Sequence, residues 1–344
     1  MQIFKEFKVN NFDLLRFLAA SEVIVDHYFQ HLNIPLNKKE LEVLYLFPGV
    51  PVFFVISGYL ISASYERNTH FIDYVKNRAL RIFPGLWGCI ILTVIIFLLT
   101  GVSFFNREVI LLLPAQFTGL IYTPHFLSGY GFGSYNGSLW TIPVELQFYL
   151  FLPLLYLTII KNKSNYRLYL CFVLFLVLHI LSFSFKNNHL LDKLVSYTFI
   201  PYFYLFLIGV IFQRLRLYKA DFIYNKALYW VAGYVLYSFI FADIIPEIFF
   251  NVIKNSILGF VVLSLAYTLP NTAKKILRNN DISYGIYIYH GLLLTVIVQE
   301  KLQDYVNIFI IIVLTYILAW LSWIFIEKPF IRSKKHSIRT LADV

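Results

Sequence analysis

Charge is scarce in this chain of 344 residues: Asp, Glu, Lys and Arg together make up 14%, where a soluble domain carries about a quarter. So few charges cannot coat a water-exposed surface, which excludes an ordinary soluble globule. Cysteine is scarcer still. The two present, Cys89 and Cys171, sit in apolar runs, which excludes a disulfide framework and a thiolate metal site. Acidic residues fall short of basic ones, 19 against 29, for a formal net charge of +10. On a soluble chain that excess would point to nucleic acid. In a chain that is 59% hydrophobic the sign must first be tested against membrane orientation. Low-complexity tracts, repeats of solenoid period and long linkers are all missing, so residues 1–344 read as one domain.

What is present in quantity is apolar sequence. Crossing a bilayer takes about 20 apolar residues. Runs of that kind fall at 13–33, 44–64, 82–100, 139–160, 168–185, 196–213, 228–244, 252–270, 284–299 and 307–326. The predicted fold is therefore an all-α polytopic membrane protein of about ten transmembrane helices. An even count puts both termini on one side. Taking that side as cytoplasmic, 21 of the 29 basic residues lie inside, among them Lys5, Lys8, Arg67, Lys76, Arg78, Arg81, Lys161, Lys163, Arg214, Lys274, Lys328, Lys334, Lys335 and Arg339. Seven lie outside and Arg16 lies within the first span. That asymmetry is a positive-inside signature, and it turns the +10 into a topology signal that excludes nucleic acid as partner. The first apolar segment contains Arg16, Glu22, Asp26 and His27 and no small-residue cleavage site, so it reads as a retained span.

The long outer connection, 101–138, has two parts. REVILLLPAQFTGL is apolar but broken at Pro114 and Gly119, which suits a re-entrant or interfacial segment. GYGFGSYNGS, at 129–138, is rich in Gly and aromatics but lacks dinucleotide-binding spacing. It reads either as a flexible loop or as a carbohydrate-contacting one with Tyr130, Phe132 and Tyr135 stacking on sugar rings. Residues 328–344 read as a basic cytoplasmic tail.

Ionisable residues inside spans are costly and mark polar paths or sites. The first span carries Asp13, Arg16, Glu22, Asp26, His27 and His31. Arg16 and His27 are 11 residues apart, close to three full turns, so they share a helix face with about 16 Å of rise between them. His27 is either a hydrogen-bonded interior histidine or a general base. His27 with His31 at i, i+4 could also begin a metal site, which needs a third ligand. Arg78 and Arg81, three apart at the inner mouth of the third span, are either topology anchors or a fork for a phosphate-bearing ligand. Glu145, five residues after Trp140 in SLWTIPVELQFYLFLP, either pairs with a cation such as Arg16 or orients His27 or an acceptor hydroxyl. His290 and Glu327 are single polar residues in apolar helices, for which helix-to-helix pairing is the expectation.

Taken in order, FDLLRFLAASEVIVDH, PVFFVISGYLIS (51–62), NRALRIFP, SLWTIPVELQFYLFLP (138–153), SYGIYIYH (283–290) and EKP (327–329) resemble the integral-membrane acyltransferase family 3, proteins that O-acylate surface glycans. The resemblance runs from residue 12 to 329. It implies a ten-helix acyltransferase domain in the bacterial inner membrane that takes an acyl group, usually acetyl, from acetyl-CoA on the cytoplasmic side. The group passes to a carbohydrate hydroxyl of a surface or lipid-linked polysaccharide, without a metal. His27 would be the catalytic histidine, as base or nucleophile, Arg16 its companion, and Arg78 with Arg81 the contacts to coenzyme A phosphates. Ser57 and Gly58 would line the donor path, and Glu145 would match a functional carboxylate. Only 17 residues follow Glu327, so the resemblance leaves all the chemistry to the membrane domain. The 129–138 loop matches no part of the family pattern and is where acceptor specificity is expected. The alternative from another class is a transporter or flippase of a glycan or lipid-linked precursor, with the buried charges lining its path.

Overall fold

The computed structural model describes residues 9–67, 70–103, 106–160 and 165–332. Lys5, Lys8, Lys161, Lys163, Lys334, Lys335 and Arg339, residues 104 and 105 of the long connection, and the basic tail beyond Arg332 lie outside the described residues. Within them every regular element is helical. In chain order these are α1 (Phe12–His31), α2 (Lys38–Leu44), α3 (Gly49–Arg67), α4 (Phe71–Leu99), α5 (Val109–Thr118), α6 (Thr141–Leu155) and α7 (Tyr166–Ser182). There follow α8 (His189–Ser196), α9 (Phe203–Arg214), α10 (Ala227–Ile240), α11 (Glu247–Ala266), α12 (Thr272–Leu277), α13 (Ser283–Gln299) and α14 (Ile308–Ser322).

Among the described residues, six helical stretches are long and apolar enough to cross a membrane: Lys38–Arg67, Phe71–Leu99, Gly137–Ile159, Tyr166–Phe185, Glu247–Ala266 and Ile308–Arg332. Phe203–Arg214, Ala227–Ile240 and Ser283–Gln299 are shorter apolar helices, as is α5. The protein is a multi-pass membrane protein. Each expected run finds a helix, but the bounds move. The helix around the third run begins at Phe71, not near residue 82, because its first turns, FIDYVKNRAL, are polar and a search for apolar residues passes over them. Outward-facing Leu98, Leu99, Ile110, Leu111, Leu154 and Phe309 are more than half exposed, a surface suited to lipid and not to water.

The chain divides into two compact units, with the division falling inside α1 between Glu22 and Val23. Of the described residues, the first unit holds the start of α1 and those within 39–67 and 147–279. Its centre is the packing of α3 on α9. A Cβ at Gly58 would lie 2.0 Å from the Phe206 carbonyl oxygen, and one at Gly209 would lie 2.1 Å from that of Val55. Small residues at such a crossing let two apolar helices approach where no water is available to drive them together. Phe148, Phe203 and Phe206 fill the space beside it. Two acidic residues have local uses here. The Glu22 carboxylate accepts the Gly49 N–H at 2.7 Å, an anion at the positive end of α3. Glu66 pairs with Arg214 at 3.0 Å and accepts from Gln213 and Tyr156.

Of the described residues, the second unit holds those within 23–38, 70–146 and 280–332. Its central element is α13, in which every residue from Ser283 to Leu292 is buried. Gly285 lies against Ala319 of α14, and the Tyr284 hydroxyl donates to the Ile82 carbonyl of α4 at 3.0 Å. The long connection in this unit is ordered by distant partners. The first of its expected breaks is absent, because Pro114 sits inside α5; the second is real, with Gly119 ending the helix at φ 85°. Tyr130 and Tyr135 are buried against Phe97, and the Tyr135 hydroxyl donates to Gln116 Oε1. These two rings are core residues, so neither the flexible loop nor a sugar platform built from all three aromatics describes the segment.

Candidate active site

Every contact of this site is made within the second unit. α1 brings His27 and His31 to one side of its last turns, and α13 brings His290. His27 Nδ1 and His290 Nε2 are 2.9 Å apart, a hydrogen bond between residues separated by 263 positions. The other nitrogen of His290, Nδ1, lies 3.1 Å from the Ile286 carbonyl oxygen one turn back on α13. His31 stands edge-on to His27 with ring centroids 4.9 Å apart, and its ring stacks on Phe132 at 3.8 Å with the planes 3° apart. His290 is fully buried and His27 partly so. His27 is therefore the member of the pair with surface left for a substrate.

The 129–138 segment is fastened to α13 on the same side. The Gly131 N–H donates to Gln299 Oε1 at 2.9 Å, and the Thr295 hydroxyl donates to the Ser134 carbonyl at 3.2 Å. Asn136 donates to the Ile288 carbonyl at 2.9 Å, and the Cys89 thiol donates to that same carbonyl. The Ser138 hydroxyl donates to Asn136 Oδ1 at 2.6 Å. Such close approach needs Gly291: a Cβ there would sit 2.3 Å from Asn136 Oδ1 and 2.6 Å from Ser138 Oγ. Thr141, at the start of α6, donates to the Tyr287 hydroxyl at 2.9 Å. The turn of α13 that carries His290 is thus held from several directions.

Arg78 and Arg81 lie on one face of α4, as their spacing predicts. Arg81 has a partner the sequence did not reveal: its guanidinium forms an ion pair with Asp281, both side chains largely buried. Asp281 in turn accepts from the Ser283 N–H at 3.2 Å and its hydroxyl at 2.5 Å, tying Arg81 to the start of α13. Glu145 is half-buried in the first turns of α6. Glu327 is buried and accepts the Ser322 hydroxyl at 3.0 Å, five residues back across the wide π-helical turn Trp323–Glu327. In the first unit, Arg16 and Ser57 are half-buried, and Gly58 serves the α3–α9 crossing described above. Cys89 and Cys171 are buried free thiols. Among the described residues no three His, Cys, Asp or Glu side chains gather as metal ligands. The two nitrogens of the His27–His290 pair face each other at hydrogen-bond distance and share a proton.

The sequence model of the acyltransferase 3 family, described as an acyltransferase domain, matches residues 9–326. The chain belongs to the acyltransferase 3 family. It is 33% identical over 343 residues to nodulation protein 10 of Rhizobium leguminosarum bv. viciae, covering 93% of this chain and 92% of that one. It is 27% identical over 342 residues to the O-acetyl transferase of Shigella phage Sf6, covering 94% and 96%. A peptidoglycan O-acetyltransferase of Listeria monocytogenes is 28% identical over 182 residues, covering 48% of this chain and 27% of its own. No solved structure matches the chain. This acyltransferase 3 protein is an enzyme of membrane O-acyl transfer, and the family match spans all three histidines of the site, both arginines of α4, and Glu145.

Proposed function

We propose that the protein moves an acetyl group from acetyl-CoA, bound from the cytoplasmic side, to a hydroxyl of a surface or lipid-linked polysaccharide. Ten spans with both termini in the cytoplasm of an inner-membrane protein are part of the same reading, supported by the asymmetry of the loop charges. The re-entrant or interfacial placement of α5 belongs to it too. The observation that carries the reading is the His27–His290 pair, with His31 edge-on to His27 and stacked on Phe132, in a chain of an acyltransferase family. Two relatives named O-acetyl transferase and peptidoglycan O-acetyltransferase support acetyl as the group and a glycan as the acceptor.

The chemistry needs a base and a held thioester. His27 removes the proton of the acceptor hydroxyl as its oxygen attacks the thioester carbonyl; the carbon–sulfur bond breaks, and the imidazolium returns the proton to the departing thiolate. In the covalent variant His27 attacks first, releasing coenzyme A and holding the acetyl group on nitrogen until the hydroxyl takes it. Arg78 and Arg81 are assigned to the coenzyme A phosphates, for which arginine's planar fork is suited. Ser57 and Gly58 are assigned to the donor path, Arg16 to the pantetheine side of the same helix as His27, and Glu145 to orienting the acceptor.

The test is turnover by the purified protein in detergent. Acetyl-CoA supplied with an oligosaccharide should yield free thiol together with an acetylated glycan seen by mass spectrometry. Translocation of a glycan in vesicles with no thiol release would replace this reading with a flippase.

A further inference from the structure

The hydrogen-bond chain at the site has a direction. A backbone carbonyl only accepts, so His290 Nδ1, 3.1 Å from the Ile286 oxygen, carries a proton. An imidazolium at this fully buried position would be an expensive charge to leave in an apolar core, and a neutral ring protonated at Nδ1 presents a lone pair at Nε2. That lone pair faces His27 Nδ1 at 2.9 Å, so His27 must donate from Nδ1. A neutral His27 then has its own lone pair on Nε2, on the ring that keeps some exposure. Tautomers follow from the partners of each nitrogen, and here the partners leave one assignment.

We infer that His290 is a positioning residue: it holds the proton of His27 on Nδ1 and thereby makes Nε2 the nitrogen that takes the hydroxyl proton or the acetyl group. The inference deepens the proposed function and rests on its reading of His27 as the base or nucleophile. A carboxylate often plays this orienting part for a reactive histidine. The second imidazole does so without placing a negative charge in the bilayer, and its own tautomer is set by its helix. The rest of the site keeps that acceptor still. Asn136 and Cys89 hold the carbonyl of Ile288, Thr141 holds Tyr287, and the ring of His31 packs edge-on to His27. A residue needed only for helix packing would have no reason to present an oriented lone pair to a partly buried imidazole.

The experiment pairs a spectroscopic signature with kinetics. Protein labelled with 15N-histidine, with the His27 signals assigned by their loss in His27→Ala, reports the protonated ring nitrogen. The expected wild-type spectrum has His27 protonated at Nδ1 and bare at Nε2. His290→Gln, whose amide oxygen can still accept from Nδ1, should keep that tautomer and turn over within about tenfold of wild type. His290→Leu should lose the preference and lower kcat about 10²-fold, with the KM for acetyl-CoA unchanged and the melting temperature compared alongside. His27 protonated at Nε2 in the wild type overturns the inference, as does an unchanged kcat in a folded His290→Leu. Should that variant fail to fold, the wild-type spectrum and the Gln variant still decide. The spectrum needs no activity, so wild-type turnover in His27→Ala would overturn the catalytic reading as a separate and distinguishable result.

Discussion

Replacing Gly291 by alanine probes the joint between the outer segment and α13. The added methyl would stand 2.3 Å from Asn136 Oδ1 and 2.6 Å from Ser138 Oγ, about 1 Å inside ordinary contact. Overpacking of a filled core costs about 1–3 kcal/mol. The turn can escape only by moving off the helix, which would break the buried bond from Asn136 to the Ile288 carbonyl and leave both groups unsatisfied at about 1–3 kcal/mol. Either route gives a loss of about 1–3 kcal/mol. Gly233 of α10 is the control, because nothing lies within 4 Å of a Cβ there. Gly233→Ala should gain up to about 1 kcal/mol from helix propensity. Thermal unfolding of both variants in one detergent reads the contrast: Gly291→Ala should melt several degrees below wild type and Gly233→Ala at or slightly above it. A Gly291→Ala protein as stable as wild type would refute the packing of residues 134–138 on α13.

The same unit supports other expectations. Arg81→Ala and Asp281→Ala should each destabilise, and the double variant should lose less than the two together, with a coupling of about 1–3 kcal/mol; additivity would show that the ion pair holds nothing. Arg78→Ala and Arg81→Ala should each raise the KM for acetyl-CoA; an unchanged KM in both would contradict their assignment to the coenzyme A phosphates. Phe132→Ala removes the ring stacked on His31 and should weaken use of the acceptor glycan more than use of acetyl-CoA, measured as separate KM values; a change confined to acetyl-CoA would contradict the placement of the acceptor.

Hydropathy revealed the helices because the bilayer requires apolar length, and the spacing of Arg78 and Arg81 gave their shared face because helical periodicity is local. His27 was legible as a candidate since a histidine among apolar residues is unusual wherever it occurs. Its partner was not: His290 lies 263 residues away, and only the packing of α13 against the end of α1 brings the two rings together. Asp281 was hidden from Arg81 for the same reason. The Gly-rich loop misled in the opposite direction. Glycine and aromatic residues suggested an open, sugar-facing segment, but Phe97, Gln116 and α13 bind its tyrosines and turns from far along the chain. Glycine there permits close approach, which composition cannot tell apart from looseness.

The central claim is that His27 performs the acyl transfer, and the direct measurement is thiol release from acetyl-CoA by purified wild-type and His27→Ala proteins, each with an oligosaccharide acceptor. The account predicts glycan-dependent thiol release and acetylated glycan from the wild type, and loss of both in a His27→Ala protein that still inserts and melts like the wild type. Equal rates from the two proteins would contradict it.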